Sequence, residues 1–363
     1  MKKILLRIFL LLNIGAAFAL ILAYLATHIS PNTQKYLYFF GLAYPYILWV
    51  NLGFILLWLF VRKRLALISV LTILLGINHF FNYFSFSFSS GEPEGLRVSS
   101  FNAHVFNMYD LEDRDAKRDS LFQLMGDLKA DIYCFQEFYN QGDPTDFPTM
   151  KLLLKQIKTD FIHEGYTHQL SERRAFGVVT FSKYPIVNKG EVVFTNDAHN
   201  NCIYSDIKIL NDTIRVYNAH LGSIRFQDDD YQFFNDQNGP KPEHYLNKEE
   251  GQRILSRLKI AFEKRAIQAE LVAEHCAQSP YPTIVCMDLN DTPVSYAYRQ
   301  FNRLLKDAFT ESSWGIGETY IGKMPSNRID YIFHSETLSS SQFTTHQVNF
   351  SDHKPISCYI QLN

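Results

Sequence analysis

Carboxylate, amide and imidazole side chains recur at the ends of apolar segments in the second part of the chain. They are Asn102, Glu137, His220, Asp288, Asn290, Asp330, Asp352 and His353. Taken singly, each has a structural explanation: Asn102 could cap a turn, and Asp330 could pair with Arg328. Strand ends and their loops are, however, the usual positions of functional sites in sheet proteins. The recurrence therefore predicts that these residues share one site.

The donor types in this set indicate the chemistry. Carboxylate and amide oxygens are hard ligands, which suit Mg²⁺, Mn²⁺ or Ca²⁺ better than Zn²⁺. The sequence contains no HExxH, P-loop or GxSxG motif. A hard metal can neutralise phosphate oxygens, an acid can orient or deprotonate water, and imidazolium and amide N–H groups can stabilise added negative charge. The set therefore predicts metal-dependent hydrolysis of a phosphoester.

The pattern of apolar residues predicts the elements that must position these groups. Predicted strands are 96–102, 131–137, 176–185, 283–290, 328–333 and 354–362, with a hairpin around Asn211-Asp212 and helices at 114–130 and about 248–276. Asp330 is expected inside its strand, and Asp352-His353 in the turn before the last strand. Strands outnumber helices and alternate with them, which indicates one α/β or α+β sandwich of ~270 residues.

Seven short motifs occur in one order along this part of the chain. They are SFN (100–102), CFQE (134–137), GVVTFSKYPI (177–186), NAHL (218–221), MDLN (287–290), RIDYIF (328–333) and SDHKP (351–355). The series resembles the endonuclease/exonuclease/phosphatase superfamily, which includes DNase I, abasic-site endonucleases, bacterial sphingomyelinases and inositol polyphosphate 5-phosphatases. The resemblance covers about residues 96–363. It implies an α/β (α+β) four-layered sandwich of two packed mixed β-sheets flanked by helices.

The resemblance also implies roles for the residues on the metal and phosphate side. Glu137 resembles the principal ligand of a divalent metal, Mg²⁺ or alternatively Mn²⁺ or Ca²⁺, with Asn102 beside it. Asp352 resembles an additional metal-side acid. Asn290, together with Asn102 and His220, resembles a ligand of the substrate phosphate.

The remaining implied roles are catalytic. Asp288 resembles the acid that orients or deprotonates water, and His220 the contact to the phosphate or leaving group. His353 resembles the histidine that binds the scissile phosphate, with Asp330 orienting its ring. Which of Asp288 and His353 takes the proton is left open by the sequence. Met287 stands where the family commonly has Gly, and we expect this change to alter backbone packing, not chemistry.

The N-terminal part of the chain has the composition of a membrane anchor. Residues 1–90 contain no acidic residue and seven basic ones. Apolar segments at about 8–27, 37–61 and 65–84 are each long enough to cross a bilayer. The first segment alone could be a signal peptide, but the two that follow favour three transmembrane helices. We therefore predict an anchor at 1–84, a linker at 85–95 and a catalytic domain at 96–363.

Basic residues predict the orientation of this anchor. The N-terminus and the 62–64 cluster favour the cytoplasm. With three spans the catalytic domain lies outside, in the periplasm, on a multi-pass protein of the inner membrane. If the third segment only lies in the interface, the domain stays cytoplasmic. Three spans are favoured because residues 65–91 carry no formal charge and end in an aromatic cluster.

Charge bears on the substrate. Residues 91–363 contain all 37 acidic residues and 28 of the 35 basic ones, so their net charge is −9. A DNA-binding surface needs Lys and Arg to neutralise several phosphates, so nucleic acid is disfavoured. The insertion 222–250, with Asp228-Asp229-Asp230, is either a solvated loop or a cover over the cleft. The pair Arg173-Arg174 is either solvated or a substrate contact.

Tethering adds to the substrate prediction, because a domain held at a membrane meets lipid headgroups at high effective concentration. The leading prediction is a membrane-anchored metal-dependent phosphoesterase acting on a phosphodiester or phosphomonoester of a lipid or small molecule. One alternative is an extracytoplasmic endonuclease or exonuclease. Another is a catalytically silent membrane scaffold with the same fold.

Overall fold

The computed structural model describes most of both predicted parts of the chain. The described residues are 2–87, 93–108, 113–141, 147–171, 174–195, 197–224, 248–322, 327–348 and 351–362. Arg173 and most of the insertion 222–250, including Asp228-Asp229-Asp230, lie outside them.

The body after residue 84 is built mainly from strands. These are β1 Ser85–Phe86, β2 Leu96–Asn102, β3 Ile132–Gln141, β4 Phe161–Ser171, β5 Arg174–Ser182, β6 Ile186–Val192, β7 Asn201–Ile209, β8 Asp212–His220, β9 Thr283–Asp288, β10 Lys306–Asp307, β11 Trp314–Gly315, β12 Asp330–His334, β13 Leu338–Thr345 and β14 Ile356–Leu362.

The helices divide between the anchor and the body. The anchor contains α1 Lys2–Ala26, α2 Tyr38–Leu42, α3 Tyr44–Val61, α4 Ala66–Leu75 and α5 Ile77–Tyr83. The body contains α6 Arg114–Leu128, α7 Thr149–Ile157, α8 Lys248–Ala277, α9 Tyr296–Asn302 and α10 Ala308–Ser312.

Twelve of these strands form two six-stranded mixed sheets with the same internal pattern, and β1 and β11 pair separately. Sheet I has the order β10-β12-β9-β8-β7-β6, and sheet II has the order β13-β14-β2-β3-β5-β4. Each contains one parallel pair, β8–β9 in sheet I and β2–β3 in sheet II, and its other ladders are antiparallel. A parallel connection needs a crossover, and the segments containing α8 and α6 provide it. Both parallel pairs therefore bring the carboxyl ends of two strands to one edge.

Apolar side chains on both faces of each sheet produce four layers. Between the sheets, Val98 and Ile132 of sheet II belong to one buried cluster with Val216 and Ile284 of sheet I. Helices α8 and α9 cover the outer face of sheet I, and α6 and α7 cover that of sheet II. The predicted four-layered sandwich of two mixed sheets flanked by helices is confirmed.

One strand prediction needs a correction that affects the site. The segment 328–333 forms a strand only from Asp330, so Asp330 begins β12 and does not lie inside a strand. The N–H groups of Ile329 and Asp330 donate to Thr319 Oγ1 at 3.0 and 3.1 Å. Arg328 pairs with Asp307 at 2.6 Å, not with Asp330.

The anchor helices are joined by polar side chains. Asn13 Nδ2 donates to Ser69 Oγ at 2.7 Å, and Ser69 Oγ donates to Asn51 Oδ1 at 2.9 Å. Trp58 Nε1 donates to Asn13 Oδ1 at 2.9 Å. Buried hydrogen bonds between apolar helices fix the positions of these helices relative to one another. Helices α1 and α3 are long and apolar enough to cross a membrane, and Lys63–Leu75 with Ile77–Tyr83 qualifies only as a pair bent by 66°.

The anchor packs directly on the body. Val294, in the loop after β9, is buried in one cluster with Leu20, Tyr24 and Tyr44 of the anchor. The first residues of the predicted linker 85–95 are not a free spacer, because β1 pairs with β11 of the body. The anchor and the loop that follows Asp288 are therefore in contact.

Candidate active site

Three of the predicted residues come together because strands of both sheets end at one place. Asn102 is the last residue of β2, His220 the last of β8 and Asp288 the last of β9. In the parallel β8–β9 ladder, His220 and Asp288 are register partners. Asn102 Nδ2 donates to Asp288 Oδ2 across the sandwich at 2.8 Å. This bond links the carboxyl ends of the two parallel pairs.

Glu137 joins this group through a break in its strand. The β3–β5 ladder shifts register between Phe135 and Phe138, and Glu137 lies in that bulge with a φ of 47°. A bulge of this kind turns a side chain away from the regular alternation of the strand. Glu137 Oε1 lies 3.3 Å from Asn102 Nδ2 and 3.5 Å from His220 Nε2.

Asp288 is completely buried and oriented from two sides. Its Oδ1 accepts a hydrogen bond from the Asn290 backbone N–H at 2.8 Å, and its Oδ2 accepts the Asn102 amide. Burial, and then the charge of Asp330, raise the pKa of Asp288 to about 6 against the opposing effects of His353, His220 and Asn102. Asp288 is therefore ionised at neutral pH and remains basic enough to accept a proton.

Asp330 and His353 form a buried pair beside Asp288. The antiparallel β9–β12 ladder makes Asp330 the register partner of Asp288. His353 Nδ1 lies 3.1 Å from Asp330 Oδ2 and 3.2 Å from its Oδ1. Burial lowers the pKa of His353, but the carboxylates of Asp330, Asp288 and Asp352 more than offset this and raise it to about 10. The imidazole is therefore protonated at neutral pH, and it pairs with Asp330 through Nδ1.

His104 is a member of this group that the sequence analysis missed. Its Nδ1 lies 3.1 Å from Asp352 Oδ1. This contact is the largest cause that raises the pKa of His104, and it lowers that of Asp352 against the effect of burial. His104 also donates its backbone N–H to Asn102 Oδ1 at 2.9 Å. The only signal in the sequence was its position two residues after Asn102. The turn that contains His104 has left-handed φ values, and the residue types in this turn do not predict that conformation.

The two asparagines make contacts that bear on their predicted roles. The amide oxygen of Asn102, the atom that would bind a metal, accepts the His104 N–H, and its NH₂ group faces Glu137 and Asp288. Asn290 has a φ of 57° and donates its side-chain amide to Leu221 O at 3.0 Å. This contact holds Asn290 against the end of β8, next to His220.

The donor set fits a divalent cation. His220 Nε2 is buried without a hydrogen-bond partner among the described residues, although Glu137 and Asp288 flank it. A buried polar atom in this state marks a place where a further group belongs. Asp288, Asp330 and His353 also offer ligand atoms within 4.8 Å of one another. The Glu137 side fits a cation better, because His353 Nδ1 is already paired with Asp330 and the Glu137 side chain is 30% exposed.

Two neighbouring motif residues support the site structurally. Asn218, of NAHL, is fully buried between the sheets and donates to the backbone oxygens of Phe135 and Val179 at 3.1 and 3.0 Å. Gln136, of CFQE, donates to Asn218 Oδ1 at 2.8 Å. These bonds fix the distance between β3 and β8, the strands that carry Glu137 and His220.

The arrangement is that of a phosphoesterase-type sandwich, and sequence comparison assigns the chain to a family. A model described as the Endonuclease/Exonuclease/phosphatase family matches residues 100–353. The chain belongs to this family. A second model, a domain of unknown function (DUF8431), matches residues 6–83. No match was found among curated proteins.

Solved structures share the fold at low sequence identity. An endonuclease/exonuclease/phosphatase family protein from Leptotrichia buccalis C-1013-b is 16% identical with a TM-score of 0.51, and the match covers 74% of this chain and 100% of that one. A functionally unknown conserved protein from Enterococcus faecalis V583 is 13% identical with a TM-score of 0.53 and the same coverages. A mannosyl-6-phosphatase from Bacteroides thetaiotaomicron VPI-5482 is 14% identical with a TM-score of 0.50, again covering 74% and 100%.

Proposed function

We propose that this protein is a membrane-anchored phosphoesterase that depends on a divalent cation. The observation that carries the proposal is the meeting of two parallel strand pairs, one from each sheet, at a single group of acid, amide and imidazole side chains. That group consists of Asn102, Glu137, His220 and Asp288, with the Asp330–His353 pair beside it. The group has the donors that hydrolysis of a phosphoester requires.

In this proposal Asp288 takes the proton of the attacking water. The sequence left the choice between Asp288 and His353 open. The Asp330 carboxylate beside Nδ1 keeps His353 protonated, so His353 acts as a hydrogen-bond donor to a phosphate oxygen. Asp288, held by Asn290 and Asn102, offers an oxygen within 4.8 Å of the Asp330–His353 pair.

A cation would be held mainly by Glu137. When bound, Mg²⁺, Mn²⁺ or Ca²⁺ would neutralise the phosphate oxygens. Asn102 and Asp352 remain proposed neighbours of the cation, as the family resemblance implies. His220, whose Nε2 has no partner among the described residues, is proposed to contact the phosphate or the leaving group. Asn290 completes the proposed phosphate contacts.

The proposed location is a membrane, with three spans and the body on the side opposite the basic ends. His79, in α5, stacks on Tyr24 with 4.8 Å between the rings, and its Nε2 lies 3.2 Å from Thr27 Oγ1. The chain has therefore returned by α5 to the end of α1 that is remote from Lys2. This return supports a periplasmic body on the positive-inside rule.

The proposed substrate is a phosphoester of a lipid or small molecule near the membrane. The loop after Asp288 packs on the anchor through Val294, and Tyr83 Oη donates to Asn327 Oδ1 at 3.2 Å. Phe86 and Trp314, on the strands that join anchor and body, are 52% and 62% exposed, as residues of a membrane interface are. These contacts support a catalytic group close to the level of lipid headgroups.

The test is a substrate panel on the full-length protein in lipid nanodiscs, with Mg²⁺ and with EDTA. The panel contains phospholipids, a sphingolipid phosphodiester, a sugar phosphate monoester and plasmid DNA. We expect EDTA-sensitive cleavage of lipid or small phosphoesters and loss of that activity in Glu137→Gln. Cleavage of plasmid as fast as any lipid would favour the nuclease alternative. Absence of activity on the whole panel would favour the silent scaffold.

A further inference from the structure

A cavity of about 270 Å³, open on one side, lies between the anchor and the body. The lining residues that matter here are polar. They are His28 and His79 of the anchor, Arg299 in α9, Arg303 directly after α9, and the amides of Asn82 and Asn302. None of the eight residues assigned to the candidate active site lines it. The cavity is thus a separate place from the catalytic group.

The cavity contains cationic groups without counter-charges. No Asp or Glu is among its described lining residues. In the part of the chain that the structure describes, neither the Arg299 nor the Arg303 guanidinium forms an ion pair. Arg299 lies in the last turn of α9 and Arg303 directly follows the helix, a four-residue spacing at which like charges repel each other weakly. A bound anion would remove that repulsion.

The body holds these arginines in place. Ser295 caps the start of helix α9, because its Oγ accepts the Tyr298 N–H. The inner face of α9 buries Ala297 and Phe301 in the core of sheet I. The opposite face of α9 is turned toward the anchor. Asn302 Nδ2 donates across the junction to Asn82 Oδ1 at 3.4 Å, which ties the two sides of the cavity together.

The anchor contributes hydrogen-bonding groups at the same level. His28 Nδ1 lies 2.8 Å from Thr27 Oγ1, so its second ring nitrogen is available to a ligand, and the side chain is exposed. His28 follows the end of α1, and the ring of His79 lies 6.3 Å from that of His28, so both lie at the depth of lipid headgroups in the proposed topology. A cavity with two guanidinium groups, two imidazoles and amides matches a phosphate group.

We propose that this cavity binds the phosphate group of an anionic ligand through Arg299 and Arg303. Either an anionic phospholipid headgroup or a soluble phosphorylated compound has this chemistry. Its position at the end of the anchor favours the lipid. The site would hold the body in a fixed position on the membrane and is separate from the catalytic group.

The test compares lipid retention by the full-length wild-type protein and its variants in detergent, and native mass spectrometry measures the retained lipid. The probe is mixed micelles of phosphatidylglycerol and phosphatidylcholine. We expect wild type to retain phosphatidylglycerol preferentially, and Arg299→Gln/Arg303→Gln to lower that preference about tenfold. The matched control is Lys155→Gln/Lys158→Gln at the C-terminal end of α7. It removes the same amount of charge far from the cavity and should behave as wild type.

A second arm distinguishes the two sources of phosphate. Without added lipid, inorganic phosphate or glycerol phosphate should raise the melting temperature of wild type, and not of the double variant, if the ligand is soluble. If the double variant does not fold, the single variant Arg303→Gln replaces it in both measurements, because Arg303 is exposed. Equal phosphatidylglycerol preference in wild type and variants, with equal phosphate shifts, would overturn the proposal. Glu137→Gln should keep the preference for phosphatidylglycerol. Lipid binding at the cavity can therefore be tested even if the proposed enzymatic function is wrong.

Discussion

His353 Nδ1 lies 3.1 Å from Asp330 Oδ2, and Asp330 is itself the register partner of Asp288. Two strands and a turn therefore bring a protonated imidazole and two buried carboxylates together. In this relationship Asp330 does not need to touch substrate. It holds the ring of His353 and keeps it charged.

We expect His353→Ala to lower kcat about 100- to 1,000-fold, because it removes a donor to the charge that develops on the phosphate. Asp330→Asn should lower kcat less. The double variant should be no slower than His353→Ala, since both changes act through one group. The measurement is kcat on a soluble phosphoester with Mg²⁺, with melting temperature as a check of folding. Full additivity of the two losses would show that Asp330 acts elsewhere.

The second prediction concerns the cation. Glu137→Gln removes the carboxylate that faces the cleft and has only long contacts, 3.3 and 3.5 Å, within the site. We expect the Mg²⁺ concentration for half-maximal activity to rise about tenfold or more, and kcat to fall. Glu336→Gln, an exposed glutamate beyond the far end of β12, is the control. An unchanged Mg²⁺ dependence in Glu137→Gln would place the cation elsewhere.

The family resemblance implied the layers, and several of the predicted site residues could be assigned to strand ends because a strand end is a local feature of the sequence. The apolar strands followed by Asn102, His220 and Asp288 could be recognised without long-range information. The direction of Glu137 could not, because it depends on a bulge whose partner strand, β5, is separated from β3 by a helix and a further strand.

His104 and Thr319 were missed for a related reason. His104 follows a strand in a left-handed turn, and only the folded chain brings it to Asp352, almost 250 residues later. Thr319 accepts two backbone N–H groups at the start of β12 and thereby fixes Asp330. Neither residue belongs to a pattern of periodicity, so only the tertiary structure reveals its position.

The third prediction concerns a buried ion pair of the body, one member of which also contacts the anchor. Arg328 pairs with Asp307 at 2.6 Å, and its other nitrogen donates to the backbone oxygen of Asn82 at 2.6 Å. Arg328→Leu leaves Asp307 buried without a counter-charge, which should destabilise the protein by about 3–5 kcal/mol. Arg328→Leu/Asp307→Leu should recover a large part of that loss.

The readout is the melting temperature of the full-length protein in detergent. A single variant as stable as wild type would mean that water reaches Asp307. A double variant less stable than Arg328→Leu would mean that Asp307 is needed chiefly for its other contacts, such as the hydrogen bond from Tyr298 Oη at 3.0 Å.

The last prediction is a dependence of stability on pH that comes from Glu311. Its Oε2 accepts hydrogen bonds from buried His334 Nε2 at 2.8 Å and from Ser340 N at 2.7 Å. Burial raises the pKa of Glu311, but these bonds outweigh burial and lower it from 4.5 to about 2. A carboxyl whose pKa is lower in the folded state stabilises fully above its unfolded pKa and loses that contribution as pH falls through the folded value.

Glu311→Gln should therefore be less stable than wild type by roughly 1–3 kcal/mol above pH 4.5, with the estimate reduced because the side chain is 28% exposed. The difference in melting temperature between the two proteins should shrink as pH falls from 4.5 toward 2. Glu336→Gln, in the exposed turn after β12, should show no such convergence. A gap that stays constant over this range would mean that Glu311 stabilises through shape and neutral hydrogen bonds, not through its charge.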